Sequence, residues 1–108
     1  MEVNTTTVLW YIFIIVFSIG TLVNIAGPEK IKASYRQWGL PVNFRFLTGL
    51  LEAVAVLLVL AGMELGGYIT GMIVMAGAIV ILGKNKDFKA LPAPVMMLIV
   101  TAYLIYLN

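Results

Sequence analysis

Four long apolar segments are the feature of this sequence that most restricts its fold. A bilayer core of about 30 Å requires roughly 20 helical residues at 1.5 Å each, with about 17 as the lower limit. The first two segments reach this length, and the third reaches it when Gly66 and Gly67 are included. The fourth reaches it when it starts at Leu91 or Pro92. The predicted membrane spans are residues 8–26, 44–62, 66–83 and 92–107.

The composition agrees with a chain that lies largely in lipid. Of its 108 residues, 62% are hydrophobic and 11% are charged, whereas about a quarter of the residues in an average soluble domain are charged. A soluble chain of this size has too little interior to bury so much apolar surface. We therefore expect an all-α fold. The prediction is a polytopic membrane protein of one domain, residues 1–108, in which four transmembrane helices form a bundle.

The first apolar segment lacks the features of a signal peptide. A signal peptide carries positive charge before its apolar run and a small-residue cleavage site after it. Here the only charge before the segment is Glu2. The nearest basic residues come after it: Lys30, Lys32 and Arg36. We therefore expect an uncleaved membrane span.

All seven basic residues lie in or beside two of the predicted loops. They are Lys30, Lys32, Arg36 and Arg45 around the first loop, and Lys84, Lys86 and Lys89 around the third. Short loops rich in Lys and Arg stay in the cytoplasm. We therefore expect a multi-pass protein of the cell membrane, with cytoplasmic basic loops and both termini outside. The net charge of +2 comes from few charges at the membrane surface, which argues against a nucleic-acid partner.

The connection between the first two spans, GPEKIKASYRQWGLP, has the pattern of a short amphipathic helix. Its opening glycine and proline are a helix stop. Ile31, Tyr35 and Trp38 then recur at helical spacing with basic residues between them, which is typical of a helix lying in the lipid headgroup layer. A Gly-Leu-Pro turn at 39–41 closes the helix. The predicted membrane-interface residues are Tyr35, Arg36 and Trp38.

The third apolar segment contains two glycines one helical turn apart, Gly67 and Gly71. Small residues at this spacing let a neighbouring helix approach closely. As a motif the pattern is weak, because small residues are common in membrane spans. We expect this span to pack closely, either inside the bundle or at a dimer interface.

Glu52 is the only charged residue between Phe46 and Met63. It shares one helix face with Arg45 and Thr48, which precede it by seven and four residues. At 1.5 Å per residue it lies about 10 Å deeper than Arg45, where an ionised side chain costs a few kcal/mol or more. We therefore expect Glu52 to face the other helices, and either to find a partner or to stay protonated.

Two interpretations of this glutamate remain open. In the first, it belongs to a ligand or proton site, since ionisable residues inside a membrane are usually functional. The candidate ligand-binding residues are Glu52, Arg45, Asn24 and Thr48. In the second, Glu52 is a structural clamp that accepts hydrogen bonds from a neighbouring helix, for example from Asn24, a tyrosine or a threonine.

The sequence contains no cysteine and no histidine. Disulfide exchange, haem ligation by histidine and most zinc or copper sites are thereby excluded, and Glu52 alone cannot hold a metal. The sequence also has no nucleophile–base pair and no phosphate-binding loop. We therefore expect no catalytic residues, no metal and no required cofactor. If the protein serves redox chemistry, the electrons reside on a partner or on a bound quinone.

Residues 27–62, GPEKIKASYRQWGLPVNFRFLTGLLEAVAVLLVLAG, resemble the signature region of the DoxX-like membrane proteins. In that family a G-x-E-K-like segment and an aromatic-Arg-x-W-G-x-P stretch precede F-R-x-L-T-G-x-L-E at the start of the second span. The resemblance implies a four-helix bundle. The chain departs from the family in two places. Many relatives carry a lysine where this chain has Asn24, and many carry a histidine near the end of the third span, where ILGKNKD has none.

Three classes of function remain. DoxX-like relatives include small subunits tied to quinone-linked sulfur oxidation or to membrane oxidoreductase complexes, and an animal relative helps assemble ligand-gated channels. The resemblance therefore implies a non-enzymatic subunit, scaffold or assembly factor, with a membrane protein or a second copy of the chain as partner. The alternative is a protein that binds quinone or another small lipophilic ligand through Glu52. The third class, a proton-coupled transporter, is disfavoured because small four-helix antiporters carry their glutamate in the first helix.

Overall fold

The computed structural model describes residues 4–108, and Glu2 lies outside this range. The described chain folds into five α-helices: α1 (Thr5–Ala26), α2 (Glu29–Gln37), α3 (Phe44–Leu60), α4 (Glu64–Lys84) and α5 (Pro92–Leu107). No strand occurs between residues 4 and 108. The expected all-α fold is therefore confirmed.

Each of the four predicted spans is helical, but the helices differ in length. α1 and α4, with 22 and 21 residues, are long and apolar enough to cross a membrane. α3 has 17 residues and α5 has 16, which is about 25 Å at 1.5 Å per residue and close to the lower limit for a span. Residues 4–108 thus contain two helices that are long and apolar enough to cross a membrane. That the chain crosses the membrane four times stays a prediction.

Local sequence explains why α1 ends where it does. Gly27 adopts the left-handed conformation, with φ 61°, and its N–H donates to Val23 O at 2.9 Å. Glycine tolerates this conformation best, which is why it commonly closes the last turn of a helix. Pro28 follows and precedes the first residue of α2. The predicted helix stop is confirmed, and the predicted short helix forms as α2.

The four longer helices pack side by side. α3 packs against α1 and α4, α4 packs against α5, and α5 makes a smaller contact with α1. Arg45, at the start of α3, contacts the end of α1. Gly67, near the start of α4, lies against Ala55 and Val59 in the second half of α3. The helices joined by these contacts therefore run antiparallel.

The best-buried side chains lie at one end of these helices, which we call the core end. The largest of them are Phe13, Phe17, Tyr68, Thr101 and Leu104, each less than 2% exposed. The Phe13 ring stacks on Phe17 with centroids 4.4 Å apart and meets Tyr68 edge-on at 5.2 Å. Offset stacks and edge-on pairs are favourable aromatic geometries. The core end is therefore closed by interlocking rings from α1 and α4.

Two glycines of α4 permit this close packing. A Cβ at Gly67 would lie 2.6 Å from Ala55 O, and a Cβ at Gly71 would lie 2.9 Å from the Phe13 ring. Neither distance is available to a real Cβ, so only glycine lets α3 and α1 come this near to α4. The close packing predicted from the glycine spacing is confirmed, and it occurs within the chain.

α2 lies at the opposite end, where α1 ends and α3 begins, and packs on α3. The loop between α4 and α5 is joined to it, because Trp38 Nε1 donates to Asp87 Oδ2 at 3.0 Å and Asn85 Nδ2 donates to Trp38 O at 3.3 Å. The two basic connections of the sequence therefore meet at one end of the molecule, which we call the basic end. The location of α2 in lipid headgroups stays a prediction.

Candidate functional site

Glu52 lies inside the molecule on the face of α3 that meets α1, with 6% of its surface exposed. Its Oε1 accepts a hydrogen bond from Asn24 Nδ2 at 2.8 Å. The carboxyl group also lies against Gly20, where any Cβ would collide with Oε2. Glycine at position 20 therefore makes room for the carboxyl group. The contact expected between Asn24 and Glu52 is present.

Asn24 connects Glu52 to α2. Its Nδ2 donates a second hydrogen bond to Gly20 O at 2.9 Å, and its Oδ1 accepts one from the Tyr35 hydroxyl at 2.7 Å. Because a carbonyl oxygen can only accept, the bond to Gly20 sets the orientation of the amide. Tyr35, Asn24 and Glu52 thus form one chain of hydrogen bonds that crosses α2, α1 and α3.

Tyr35 belongs to this site, although the sequence analysis assigned it only to the membrane interface. The residue is 6% exposed, and its ring meets Trp38 with centroids 5.3 Å apart. Burial raises the pKa of the Tyr35 hydroxyl above its usual value, so the group keeps its proton at neutral pH and acts as a donor. Its spacing from Ile31 placed it on the apolar face of α2. Spacing alone cannot show that this face turns toward Asn24.

A cavity of about 290 Å³ lies beside this chain of hydrogen bonds. Its wall contains three of the four candidate ligand-binding residues: Asn24, Thr48 and Glu52. Tyr35 and Trp38 also line it. Much of the remaining wall is apolar and comes from α4 and α5: Val74, Met75, Ala78, Leu82, Pro94 and Met97. We call this the Glu52 cavity. An apolar wall with a few polar groups is typical of sites for small ligands.

A second cavity, of about 190 Å³, adjoins the first. Six residues line both cavities: Tyr35, Trp38, Thr48, Val74, Ala78 and Leu82. The rest of its wall has no polar side chain. Two of these residues, Leu47 on α3 and Ile73 on α4, are 47% and 64% exposed. This second space, the apolar cavity, therefore reaches the outer surface between α3 and α4.

Arg45, the fourth candidate residue, lies outside the walls of both cavities. Its Nη1 donates to Asn24 O and Ile25 O at 2.8 Å each, and its guanidinium carbon lies 4.0 Å from the centre of the Phe46 ring. The last carbonyls of a helix have no partner within that helix. Arg45 therefore provides a hydrogen-bond donor for two of the last carbonyls of α1 and joins this helix end to the start of α3. The ligand-binding role predicted for Arg45 stays a prediction.

Glu52 is the only charged side chain in the walls of the two cavities. Within residues 4–108, Arg45 forms no ion pair with it or with another carboxylate. The same part of the chain holds no group of three or more acidic, histidine or cysteine side chains placed to bind a metal ion. The chemistry available here is hydrogen bonding, together with gain or loss of one proton at Glu52.

The three predicted membrane-interface residues differ in exposure. Arg36 faces outward and forms an ion pair with Glu29 at 2.8 Å, with 54% and 73% of the two side chains exposed. The hydrogen bond from Arg36 lowers the pKa of Glu29. Trp38 is half-buried between the α4–α5 loop and the Glu52 cavity. Only Arg36 of the three is fully outward-facing.

A family model matches nearly the whole chain. The match covers residues 8–104, and the model is that of the DoxX-like family. No curated protein and no solved structure matches the chain. The family and the two long apolar helices together indicate a membrane protein. On the extent of the family match, the chain belongs to the DoxX-like family.

Proposed function

We propose that this chain is a four-span membrane protein that binds a small lipophilic molecule in the cavity beside Glu52. One observation carries the proposal. Asn24, Thr48 and Glu52, which the sequence places on two different helices, line a single cavity whose wall is otherwise largely apolar. A volume of about 290 Å³ is at the lower end of the range for small-molecule sites, which begins near 300 Å³.

The outer surface supports four spans. Each of the four longer helices carries large apolar side chains that are more than 60% exposed: Leu22, Leu57, Ile73 and Ile99. Contiguous apolar surface is a liability in water, whereas lipid tails solvate it readily. The molecule is 44 Å long, which matches the ~40–45 Å of a bilayer with its headgroups. The proposal therefore places α3 and α5 in the membrane beside α1 and α4.

The packing of α1 supports its retention as a span. Phe13 and Phe17 are completely buried and belong to the hydrophobic core. Asn24 of the same helix holds Glu52. Removal of α1 would expose the core and leave Glu52 without its partner, so the proposal treats α1 as part of the folded protein.

The proposed orientation places the basic end in the cytoplasm and both termini outside, according to the distribution of Lys and Arg. The Trp38–Asp87 contact supports this, since it brings the two basic connections to the same end. A single cysteine at position 86, in Lys86→Cys, should react with a membrane-impermeant maleimide only after cells are permeabilised. The matched Tyr106→Cys variant should react in intact cells. Reaction of position 86 in intact cells would reverse the orientation.

The hydrogen bonding of Glu52 favours a ligand site over a structural clamp. A clamp would satisfy both carboxyl oxygens, as buried polar groups usually are. Here Oε1 accepts from Asn24, and no residue between 4 and 108 donates to Oε2. The proposal therefore assigns a molecule in the cavity as the partner of this second oxygen.

A quinone can be held here in only one way. Its two carbonyl oxygens accept hydrogen bonds and donate none, so a hydrogen bond to either one needs a donor from the protein. Protonated Glu52 is such a donor, and Trp38 and Tyr35 would flank the ring. When bound, a quinone supplies two-electron redox chemistry. The proposed function does not depend on a quinone, because a largely apolar wall with a few polar groups suits other small lipophilic molecules with a polar head.

The proposal is tested by filling the cavity. Ala78 lines both cavities, so Ala78→Phe should displace the ligand. Ala76→Phe makes the same change two residues away, at an exposed position outside both walls, and serves as the control. Each protein is purified from membranes in mild detergent, and the bound small molecules and co-purifying proteins are identified by mass spectrometry.

We expect the wild type and Ala76→Phe to retain a lipophilic molecule near stoichiometric amount, and Ala78→Phe to lose it. Retention by none of the three proteins would reject ligand binding. A stable protein partner that also remains on Ala78→Phe would instead support the other expected function, that of a subunit, scaffold or assembly factor of a membrane complex.

A further inference from the structure

Every side-chain hydrogen available for donation in the wall of the Glu52 cavity is already used within the protein, setting aside a proton on Glu52 itself. The polar side chains of this wall other than Glu52 are Asn24, Ser34, Tyr35, Trp38 and Thr48. A ligand can receive a hydrogen bond only from a donor that is not otherwise engaged. The partners of these five side chains therefore decide what kind of head group the cavity can bind.

Asn24 and Tyr35 are fully engaged as donors. The two hydrogens of Asn24 Nδ2 go to Gly20 O and Glu52 Oε1, at 2.9 and 2.8 Å. The Tyr35 hydroxyl donates to Asn24 Oδ1 at 2.7 Å. Because Asn24 Oδ1 carries no hydrogen, the direction of this bond is unambiguous.

The other three donors are engaged as well. Ser34 Oγ donates to Lys30 O at 3.1 Å, and Trp38 Nε1 donates to Asp87 Oδ2 at 3.0 Å. Thr48 Oγ1 donates to Phe44 O at 3.4 Å, the longest of these bonds. Each acceptor is a carbonyl or a carboxylate oxygen, so in each pair the hydrogen comes from the side chain that lines the cavity.

The wall thus presents acceptors to a ligand. The foremost of these is the Glu52 carboxyl group, whose Oε2 receives no hydrogen bond from any residue in the described part of the chain. No cationic side chain lines either cavity. A carboxylate buried without a cation is costly, and a cation that enters the cavity offsets part of that cost. Two aromatic rings, Tyr35 and Trp38, also line the space, and aromatic faces attract cations.

We propose that the Glu52 cavity selects a lipophilic ammonium ion: a head group with N–H donors and a positive charge, attached to an apolar chain. This inference rests on the proposed function and specifies the class of ligand. The ammonium group donates to Glu52 Oε2, and the apolar chain lies in the adjoining apolar cavity. A carboxylate or phosphate head group is excluded because it would meet Glu52 with no cation between them. A ketone or ester head group has acceptors only, and in this wall it could receive a hydrogen bond only from a protonated Glu52.

The apolar cavity supports this placement of the chain. It shares Thr48, Val74 and Ala78 with the Glu52 cavity, so the two spaces lie side by side, and the proposal places one molecule across both. Beyond the shared residues its wall contains only apolar side chains and a glycine. It opens between Leu47 and Ile73 on the outer apolar surface, so the ligand would enter from within the bilayer.

The test compares three probes of similar chain length: dodecylamine, methyl undecyl ketone and dodecanoate. The protein is placed in phosphatidylcholine nanodiscs at neutral pH, with Trp10→Phe so that Trp38, in the cavity wall, is the remaining tryptophan. Binding is followed by Trp38 fluorescence, with empty nanodiscs as the blank. We expect dodecylamine to bind at least about tenfold more tightly than the ketone, as for one charged hydrogen bond, and dodecanoate to bind most weakly.

Glu52→Gln provides the decisive comparison. The glutamine oxygen can still accept from Asn24, while its NH₂ group replaces Oε2 and offers two donors without charge. Affinity for dodecylamine should fall by about tenfold or more, and affinity for the ketone should rise, so that the preference narrows or reverses. Glu64→Gln, the same change at the core end and outside both walls, should keep the wild-type preference. Melting temperatures confirm that both variants fold.

The outcomes separate this inference from the proposed function. Binding of the ketone or dodecanoate as tightly as dodecylamine would overturn the ammonium inference and leave a ligand-binding cavity. An unchanged preference in Glu52→Gln would overturn it too, since Glu52 would not then contact the head group. Failure of all three probes to change Trp38 fluorescence would count against the cavity as a ligand site, and so against the proposed function itself.

Discussion

The two ends of the same four helices differ in how their side chains pack. At the core end, Phe13 and Tyr68 interlock, and Gly67 and Gly71 bring the helix backbones together. At the basic end, the same helices line two cavities and carry a line of hydrogen bonds from Tyr35 to Glu52. Glycines make room for different groups at the two ends. At the core end Gly67 leaves space for the backbone of α3, and at the basic end Gly20 leaves space for the carboxyl group of Glu52.

This difference shows how a small chain can hold open space within it. A cavity forfeits the packing contacts of the side chains that line it. The tightly packed core end supplies stability that does not depend on the cavity walls. The basic end can therefore be arranged for binding, and substitutions at the two ends should affect different properties.

The largest effect should come from Gly67→Val at the core end. The new side chain would meet the backbone of α3 at Ala55 and Val59, which cannot move aside as a flexible side chain could. We expect a loss of about 3 kcal/mol in stability or a failure to fold. Gly77→Val, on the same helix with nothing within 4 Å of a Cβ, should have a much smaller effect. Melting temperature in mild detergent measures both, and equal losses would mean that the close α3–α4 contact does not matter for stability.

At the basic end, Glu52→Leu should have the next largest effect on stability. It leaves one hydrogen of Asn24 Nδ2 without its acceptor inside the molecule, at a cost of ~1–2 kcal/mol. Glu52→Gln keeps an acceptor for Asn24 and should melt near the wild type. Equal stability of the wild type, Glu52→Leu and Glu52→Gln would mean that the Asn24–Glu52 hydrogen bond does not stabilise the fold. Destabilisation by Gln as large as that by Leu would show that the charge itself is required for folding.

Tyr35→Phe should have a smaller effect, about 1 kcal/mol. It removes the hydroxyl that donates to Asn24 Oδ1 while keeping the ring against Trp38. Since Asn24 would then be oriented only by Gly20 and Glu52, we also expect weaker binding at the Glu52 cavity in the Trp38 fluorescence assay. Tyr103→Phe, an exposed tyrosine on α5, is the control. If Tyr35→Phe and Tyr103→Phe have the same stability and the same binding affinity, the Tyr35 hydroxyl contributes to neither property.

The smallest effect should come from Glu29→Gln. The ion pair with Arg36 is exposed on both sides, and exposed pairs contribute little because water and salt screen them. We expect no measurable change in melting temperature or in binding. A clear loss in either would show that this pair holds α2 over the cavity, and that α2 is less firmly attached by Tyr35 and Trp38 than the contacts indicate.

Much of the architecture could be predicted from the sequence because it depends on local patterns. The lengths of the apolar segments predicted four of the five helices, and Gly27-Pro28 predicted the break before α2. The isolated position of Glu52 predicted that it faces inward. The polar character of Asn24 made it one of several possible partners, and the structure shows that it is the one that donates to Glu52. The inferences about the spans and Glu52 rest on the cost of placing an unsatisfied backbone group or a charge in lipid, and the break rests on the backbone preferences of glycine and proline.

The roles of Tyr35 and Arg45 were not accessible in this way. An aromatic residue on an amphipathic helix suits a membrane surface as well as an interior, and only the docking of α2 on α3 turns Tyr35 toward Asn24. Arg45 shares a helix face with Glu52, but its guanidinium reaches the last carbonyls of α1 because the Gly27 turn leaves them close by. Side-chain direction at a helix end depends on the neighbouring helix, which spacing along one helix does not describe.

The sequence by itself determined that this chain is helical, that its surface is largely apolar and that Glu52 is buried, since composition and periodicity control how each segment meets water or lipid. Only the tertiary structure decided where the space lies and what it can bind. The cavities lie near α2, and their walls are formed by side chains from several helices. The proposed selectivity follows from which donors are already engaged across helix boundaries, and both properties belong to the assembled helices rather than to any one segment.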